Sequence, residues 1–364
     1  MAKSLNKLTR SQLVVPLFAL FLVIVFNLIR DVGFFSIIIT ANNDGNTVLS
    51  GNIISILNGA SELAILAIGM TLVTASSRGQ DISVGAVAAI AGSVFVSVLR
   101  ENQITMPIIL VAFLASCTVA IIFGAFNGTL VAAFKIQPMI ATLILFTAGR
   151  PIAYWINGGA TPTVDSPLLG YIGSFIPGIP IPTPILIVII FGVLVSLVLR
   201  FTNLGLYTQA VGINEKSARL NGINAAWVKL LSFMILGVCV AIAGCIGVSR
   251  MGLINHETLL LDIEMDAILA VAIGGNSLSG GKFSLTGSVI GAYIIQALTI
   301  TLYAMKVPST AVKAYKAIVI IAIVILSSPI VKEYALRLRD KLFKKPAKIT
   351  ENYPEGSFDG GKSL

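Results

Sequence analysis

The sequence is short of charge. Asp, Glu, Lys and Arg make up 11% of its 364 residues, under half the usual share of about 25% in a soluble domain. It has one histidine and three cysteines. His256 alone builds no metal centre, and Cys117, Cys239 and Cys245 all sit in apolar windows. Neither a disulfide framework nor a spaced metal cluster is on offer. No part of the chain carries a soluble α/β pattern. The formal net charge of +9 does not mark a nucleic-acid binder, because the positive charge lies mostly in tails and short loops.

What the chain has instead is apolar length. The mean hydropathy is +0.94, and windows such as Leu13–Ile29, Met106–Phe134 and Thr183–Leu199 are almost free of charge. About 20 such residues cross about 30 Å of hydrocarbon, and in lipid they must be helical to satisfy their backbone. The expected fold is all-α and polytopic, with about ten spans. They fall at 13–30, 53–76, 82–99, 106–134, 138–157, 183–200, 227–249, 264–275, 284–304 and 314–331. The eighth is short, which leaves open whether it is broken or crosses fully. An even count puts both termini on one side, and the basic ends make that side the cytoplasm. The expected division is a cytoplasmic N-terminus at 1–12, a transmembrane unit at 13–331 and a basic cytoplasmic tail at 332–364. Within the unit, 201–226 is the largest internal cytoplasmic segment. The lysines between Lys306 and Lys316 fit this orientation worst.

Small residues recur four apart at Ala120, Gly124 and Gly128, at Gly237 and Ala241, and at Gly287 and Gly291. This spacing lets helices approach closely in lipid. A faint internal echo links Glu62–Gly69 with Asp266–Gly274: each is a carboxylate, an apolar run and a polar break.

The stretch GGNSLSGGK at 274–282 imitates a nucleotide site. A phosphate-binding loop needs glycine at 276 and a hydroxyl at 283. The chain has Asn276 and Phe283. The LSGG core also lacks the upstream phosphate loop and the downstream acidic strand of an ABC ATPase. The stretch reads instead as a polar turn between two membrane helices.

Four stretches carry a resemblance. They are AILAIGMTLV with DISVGAVAAIAG (64–92), KIQPMIATLILFTAGR (135–150), AVGINEKSARLNGI (210–223) and EMDAILAVAIGGNSLSGGKFSLTGSVIGAYIIQ (264–296). The sequence resembles the permease subunits of ABC-type monosaccharide importers of the ribose/xylose/galactose branch, above all the galactofuranose importer permeases. The resemblance implies a bacterial cytoplasmic-membrane protein with the ABC importer permease fold and no catalytic residues. It implies four partners: an ABC ATPase, an extracytoplasmic sugar-binding protein, a second permease (a heterodimer favoured, a homodimer the alternative) and the lipid bilayer. ATP and Mg would be bound by the ATPase, with no cofactor in this chain. One departure stands out. The family's Thr-Gly-Gly-Ile-Asp-Leu-Ser pattern is replaced by Ser76-Ser-Arg-Gly-Gln-Asp-Ile-Ser83, with an added arginine.

Candidate residues follow. Asn214 suits an N-cap, Glu215 a helix N-terminus and Gly222 a stop, so 214–222 reads as a short helix. The resemblance makes it the ATPase-coupling helix, with Glu215, Lys216 and Arg219 facing the partner. Glu62 and Arg150 lie within spans, where ionisable groups are costly and face the bundle interior or a wet cavity. They are read as pathway residues or as each other's partners. Asp81 opens a helix and is either its N-cap or a pathway group. Asn58, Asn127 and Gln296 offer hydrogen bonds to sugar hydroxyls or between helices. Glu264 and Asp266 open the eighth span, as docking groups for the binding protein or as caps. The substrate could equally be another small solute, such as a nucleoside. An ion-coupled transporter, using Glu62 and Asp81, is the alternative from another class.

Overall fold

The computed structural model describes residues 13–41, 47–164 and 166–327. The expected N-terminal segment 1–12, the tail 332–364 and the end of the tenth span lie outside the described residues.

Each of the ten expected spans falls on helix. They are α1 (Val14–Arg30), the pair α2 (Asn52–Gly59) and α3 (Ser61–Ser77), α4 (Val84–Arg100), α5 (Met106–Ala132) and α6 (Pro138–Ile156). After a short α7 (Pro167–Gly173) come α8 (Thr183–Phe201), α9 (Leu204–Ile213), α10 (Glu215–Leu220) and α11 (Ala225–Met251). The last three are α12 (Ile263–Ile273), α13 (Leu285–Ala304) and α14 (Ser309–Ser327). Among the described residues, five helices are long and apolar enough to cross a membrane, or six if α2 and α3 form one span.

The second span, expected as one helix at 53–76, is not continuous. It bends by 41° between α2 and α3. The polar segment before it folds into an antiparallel hairpin, β1 (Ile38–Ala41) with β2 (Thr47–Ser50), pairing Ile38 with Ser50. Leu49 N–H also reaches Pro180 O at 3.0 Å. The Gly/Pro-rich stretch at 158–182 packs back on the bundle. Val164 N–H donates to Gly252 O, and Ile254 N–H to Pro162 O.

α3 is the axis of the bundle. Every residue from Ser61 to Ser76 is buried, because α8, α9, α11, α12 and α13 all pack on it. The outer helices are one-sided. α1 buries Pro16, Ala19, Val23 and Asn27 and turns Phe18, Phe21 and Phe26 outward. Those exposed apolar side chains are the face toward lipid. On the inner face Asn27 Nδ2 donates to Thr301 Oγ1 of α13 at 2.9 Å.

α5 and α11 have 27 residues each, about 40 Å of helix. They form the most extensive helix pair. The two small-residue strips meet there: Gly124 lies on the Phe233 carbonyl, and Gly237 on the backbone of Ala120. The third strip works likewise between α12 and α13. Gly287 sits on Gly274, and Gly291 on the Ala270 carbonyl.

α12 is a half-span. Its 11 residues extend about 16 Å, about half the hydrocarbon thickness. The preceding segment descends along α4: Leu259 and Ile254 meet Gly92, and Leu260 O meets Gly85. Its non-glycine residues Leu260 and Asp262 take φ of +47° and +65°, an uncommon left-handed backbone.

Candidate functional sites

Three polar constellations interrupt the apolar bundle. The first is at the end where α3, α9 and α12 terminate. α10 stands there on the surface as a single short helix. Asn214 Oδ1 accepts from Ser217 N–H at 3.1 Å, so the expected N-cap is in place. Glu215 bonds Arg219 at 2.6 Å and Lys229 of α11 at 2.6 Å. Gly222 ends the helix at φ +79°. Ala218 turns inward onto Val211, Ala225 and Val228, whereas Leu220 is 89% exposed. Lys216 and Arg219 are exposed on the rim of a groove of about 540 Å³ that also includes Arg78 and Lys135.

Lys229 first, and Arg219 with it, hold the Glu215 carboxyl below its ordinary pKa. A depressed carboxylate stabilises the fold above its unfolded pKa, about 4.3, and that contribution goes as pH falls through the folded value. Amide exchange in α10 is therefore expected to quicken on acidification below about pH 4, and Glu215→Gln to remove that pH step. An unchanged step in the variant would assign it elsewhere.

GGNSLSGGK packs against the ends of α3 and α9. Asn276 makes the turn: its Oδ1 accepts from Ser284 N–H at 2.6 Å, and its Nδ2 donates to Val271 O and Ser288 Oγ. Ser284 caps α13 through Gly287 N–H. Ser288 Oγ in turn meets Thr71 Oγ1 of α3 at 2.6 Å. The two echo segments, α3 and α12, thus lie side by side with their following turns in contact.

The second constellation is inside. Asp81 is 4% exposed. It does not cap α4; Ser83 holds that position. Asp81 Oδ1 instead accepts from Ser83 N–H at 2.8 Å and Ser83 Oγ–H at 2.6 Å, forming the turn that leads into the helix. Asn127 of α5 donates to Asp81 Oδ2 at 3.3 Å and Ser83 Oγ at 3.0 Å. Its own Oδ1 is buried without a partner, beside a void of about 10 Å³ lined by the same three residues and apolar side chains. Gly79 lies against Pro138 and Ala86 against Gly149, so this connection climbs about 16 Å along α6.

The third lies toward the opposite end. Glu62 and Arg150 are not partners. Glu62 pairs with Arg250 at 3.3 Å, since α11 ends beside the α2–α3 break. Arg250 also donates to Asn58 O and to Asn58 Oδ1 at 2.8 Å. Gln296 covers Gly59 at the same break. Asn58, Glu62 and Gln296 therefore come together, but around Arg250. Arg150 Nη1 donates to the carbonyls of His256, Glu257 and Leu259 at 2.6, 3.0 and 3.3 Å. Glu264 is 3% exposed, so it is not on a docking surface. α12 begins below that surface, and Glu264 Oε2 lies unpartnered over Gly85. Asp266 is half-buried and bonded to Lys316 at 2.7 Å. Asp262 pairs with Lys313 at 2.5 Å. These pairs account for two of the lysines that fitted the charge bias worst.

Arg78 and Arg250 were missed as organising residues. The added arginine in the 76–83 stretch was the available signal for the first; nothing local marked the second.

A bundle of lipid-facing helices with broken interior helices and a polar end is the architecture of a transmembrane permease. The chain belongs to the family described as branched-chain amino acid transport system / permease component, which residues 52–328 match. It is 41% identical over 280 residues to the galactofuranose transporter permease YtfT of Escherichia coli K12, covering 77% of this chain and 80% of that one. It is 34% identical over 341 residues to the fructose import permease FruF of Bifidobacterium longum, with 92% and 93% covered. With the ribose import permease RbsC of E. coli K12 the identity is 35% over 287 residues, covering 76% and 85%. No solved structure matches significantly.

Proposed function

We propose that the chain is the permease subunit of an ATP-driven importer that carries a monosaccharide across a bacterial cytoplasmic membrane by alternating access. A partner ATPase docks on α10, a binding protein delivers the sugar at the opposite end, and a second permease completes the pathway. ATP and Mg belong to the ATPase. The observation that carries this reading is Leu220, a large apolar side chain left 89% exposed at the tip of a helix flanked by Lys216 and Arg219. A protruding apolar anchor with a charged rim is what a protein partner buries. The names of the relatives support a sugar, a furanose or a pentose or hexose such as galactofuranose, ribose or fructose.

Asp262 and Lys313 keep half or more of their side-chain surface, 51% and 66%, on the flank of the bundle. Lipid does not tolerate charges there, which supports this flank as the side toward the second permease and the pathway. The alternative of another small solute has its own support. The chain is 30% identical over 269 residues, 70% of its length, to the autoinducer 2 import permease LsrC of Salmonella paratyphi B.

The test is the whole importer in proteoliposomes. Arg219→Glu reverses the rim charge. Gly222→Pro cannot adopt the φ of +79°. Both are expected to abolish sugar-stimulated ATP hydrolysis while the permease still folds. Normal coupled transport in both variants defeats the assignment of α10. Uptake driven by an ion gradient without the ATPase defeats the importer reading altogether.

A further inference from the structure

Arg78 closes α3 in a left-handed conformation, φ +59°, with its N–H on Thr74 O. Its side chain reaches across to α9. Nε donates to Gly212 O at 2.7 Å, and Nη2 to Ile213 O at 2.5 Å. These are carbonyls of the last turn of a helix, which have no partners within it. The next residue, Asn214, is the N-cap of α10. One guanidinium thus grips the hinge from which the docking helix hangs.

Arg78 is exposed on the groove, but the backbone it joins is closely packed. Gly281 N–H donates to Ala75 O at 3.0 Å. A side chain at Gly212 would overlap Ala75 O, and one at Gly280 would come within 2.8 Å of the Arg78 Cγ. The end of α3, the end of α9 and the GGNSLSGGK turn therefore meet beside Arg78. Downstream, Gln80 Nε2 donates to Leu278 O at 3.3 Å. Asp81 then holds Ser83 and Asn127. α4 starts there, and its Gly85 touches Glu264 and Leu260 at the head of α12.

We propose that Arg78 is the positioning residue that makes α10 and the 78–83 connection move as one body, so that displacement of the docking helix is delivered to the buried start of α4. The proposal rests on the reading of α10 as the ATPase-docking helix. A planar guanidinium with two donors on adjacent carbonyls resists rotation, whereas an ammonium is a point charge without that geometry. The end of α9, from which α10 hangs, cannot shift without breaking both bonds or carrying Arg78 along.

The experiment uses the assembled importer with its ATPase and binding protein. Arg78→Lys keeps the charge and loses the fork; Arg78→Gln loses both. Each is expected to assemble and hydrolyse ATP, with sugar carried per ATP reduced at least tenfold. Wild-type stoichiometry in Arg78→Lys overturns the proposal, whatever Arg78→Gln does. A second measurement leaves Arg78 intact. Spin labels at Ser217 and Ile82 are expected to hold their separation through the ATP cycle while both move relative to a label on α7. A separation that changes with nucleotide also overturns it. If Arg219→Glu and Gly222→Pro also both transport normally, the docking reading fails, and not merely the role of Arg78.

Discussion

Arg150→Met is expected to abolish transport and to lower the thermal unfolding temperature of the purified permease markedly. Methionine matches the length and apolar stem of arginine and removes the donors. Three carbonyls, of His256, Glu257 and Leu259, then lose one shared partner. They belong to a non-helical stretch in which Leu259 is buried and Glu257 is exposed. Hydrogen bonds to a charged group contribute about 1.5–3 kcal/mol each, and water can replace the one at Glu257, so the loss is on the order of 3 kcal/mol. Two left-handed residues, Leu260 and Asp262, add strain that the remaining contacts must hold. Glu264, buried at 3% exposure, also loses the cation nearest its carboxylate. Arg150→Lys should be intermediate, since an ammonium can serve part of this cluster. The measurement is a melting curve in detergent alongside sugar uptake by the assembled importer. A wild-type melting curve for Arg150→Met would show that the descending segment holds itself.

Much of this was legible in the sequence because lipid imposes a simple rule. An uncharged run long enough to cross must be helix, so every expected span falls on helix among the described residues, and five or six of these helices are long and apolar enough to cross. The shortness of the eighth span was visible, and small residues at every fourth position marked the faces on which Gly124 and Gly237 cross. α10 was legible for another reason: its cap and stop are local chemistry, Asn214 at one end and Gly222 at the other. Partners across the bundle were not legible. Nothing near Glu62 in sequence says that Arg250 rather than Arg150 faces it, because that depends on where α11 ends relative to the bend at Ala60. Glu264 misled for a related reason. A carboxylate at the head of a span looks like a surface group until the span is seen to start halfway down. Arg78 was visible as a departure, but its meaning lies in two carbonyls 134 and 135 residues away.

Gly237→Leu is expected to disrupt the bundle more than any other single change on the α5–α11 crossing. A Cβ there would lie 2.5 Å from the carbonyl oxygen of Ala120 and 2.9 Å from its carbon. Both are backbone atoms of a helix, so no rotamer change relieves the overlap. The helices must separate, and separation is costly here because the contact repeats. Gly124 sits on the Phe233 carbonyl, and Gly128 on Phe233 and Leu230, along the same seam. Asn127, on that seam, holds the turn of Asp81 and Ser83, so parting the pair also unseats the start of α4. Overpacking a core costs about 1–3 kcal/mol where side chains can adjust; against backbone, about 3 kcal/mol is the expectation. Gly192→Leu on α8 is the control. A Cβ there meets nothing nearer than Ile68 Cδ1 at 3.8 Å, and the variant should unfold at the wild-type temperature. The pair separates close packing from a general intolerance of larger residues in these helices. Equal melting temperatures for both variants would mean that the seam yields, and that the four-residue spacing of small residues records composition rather than contact.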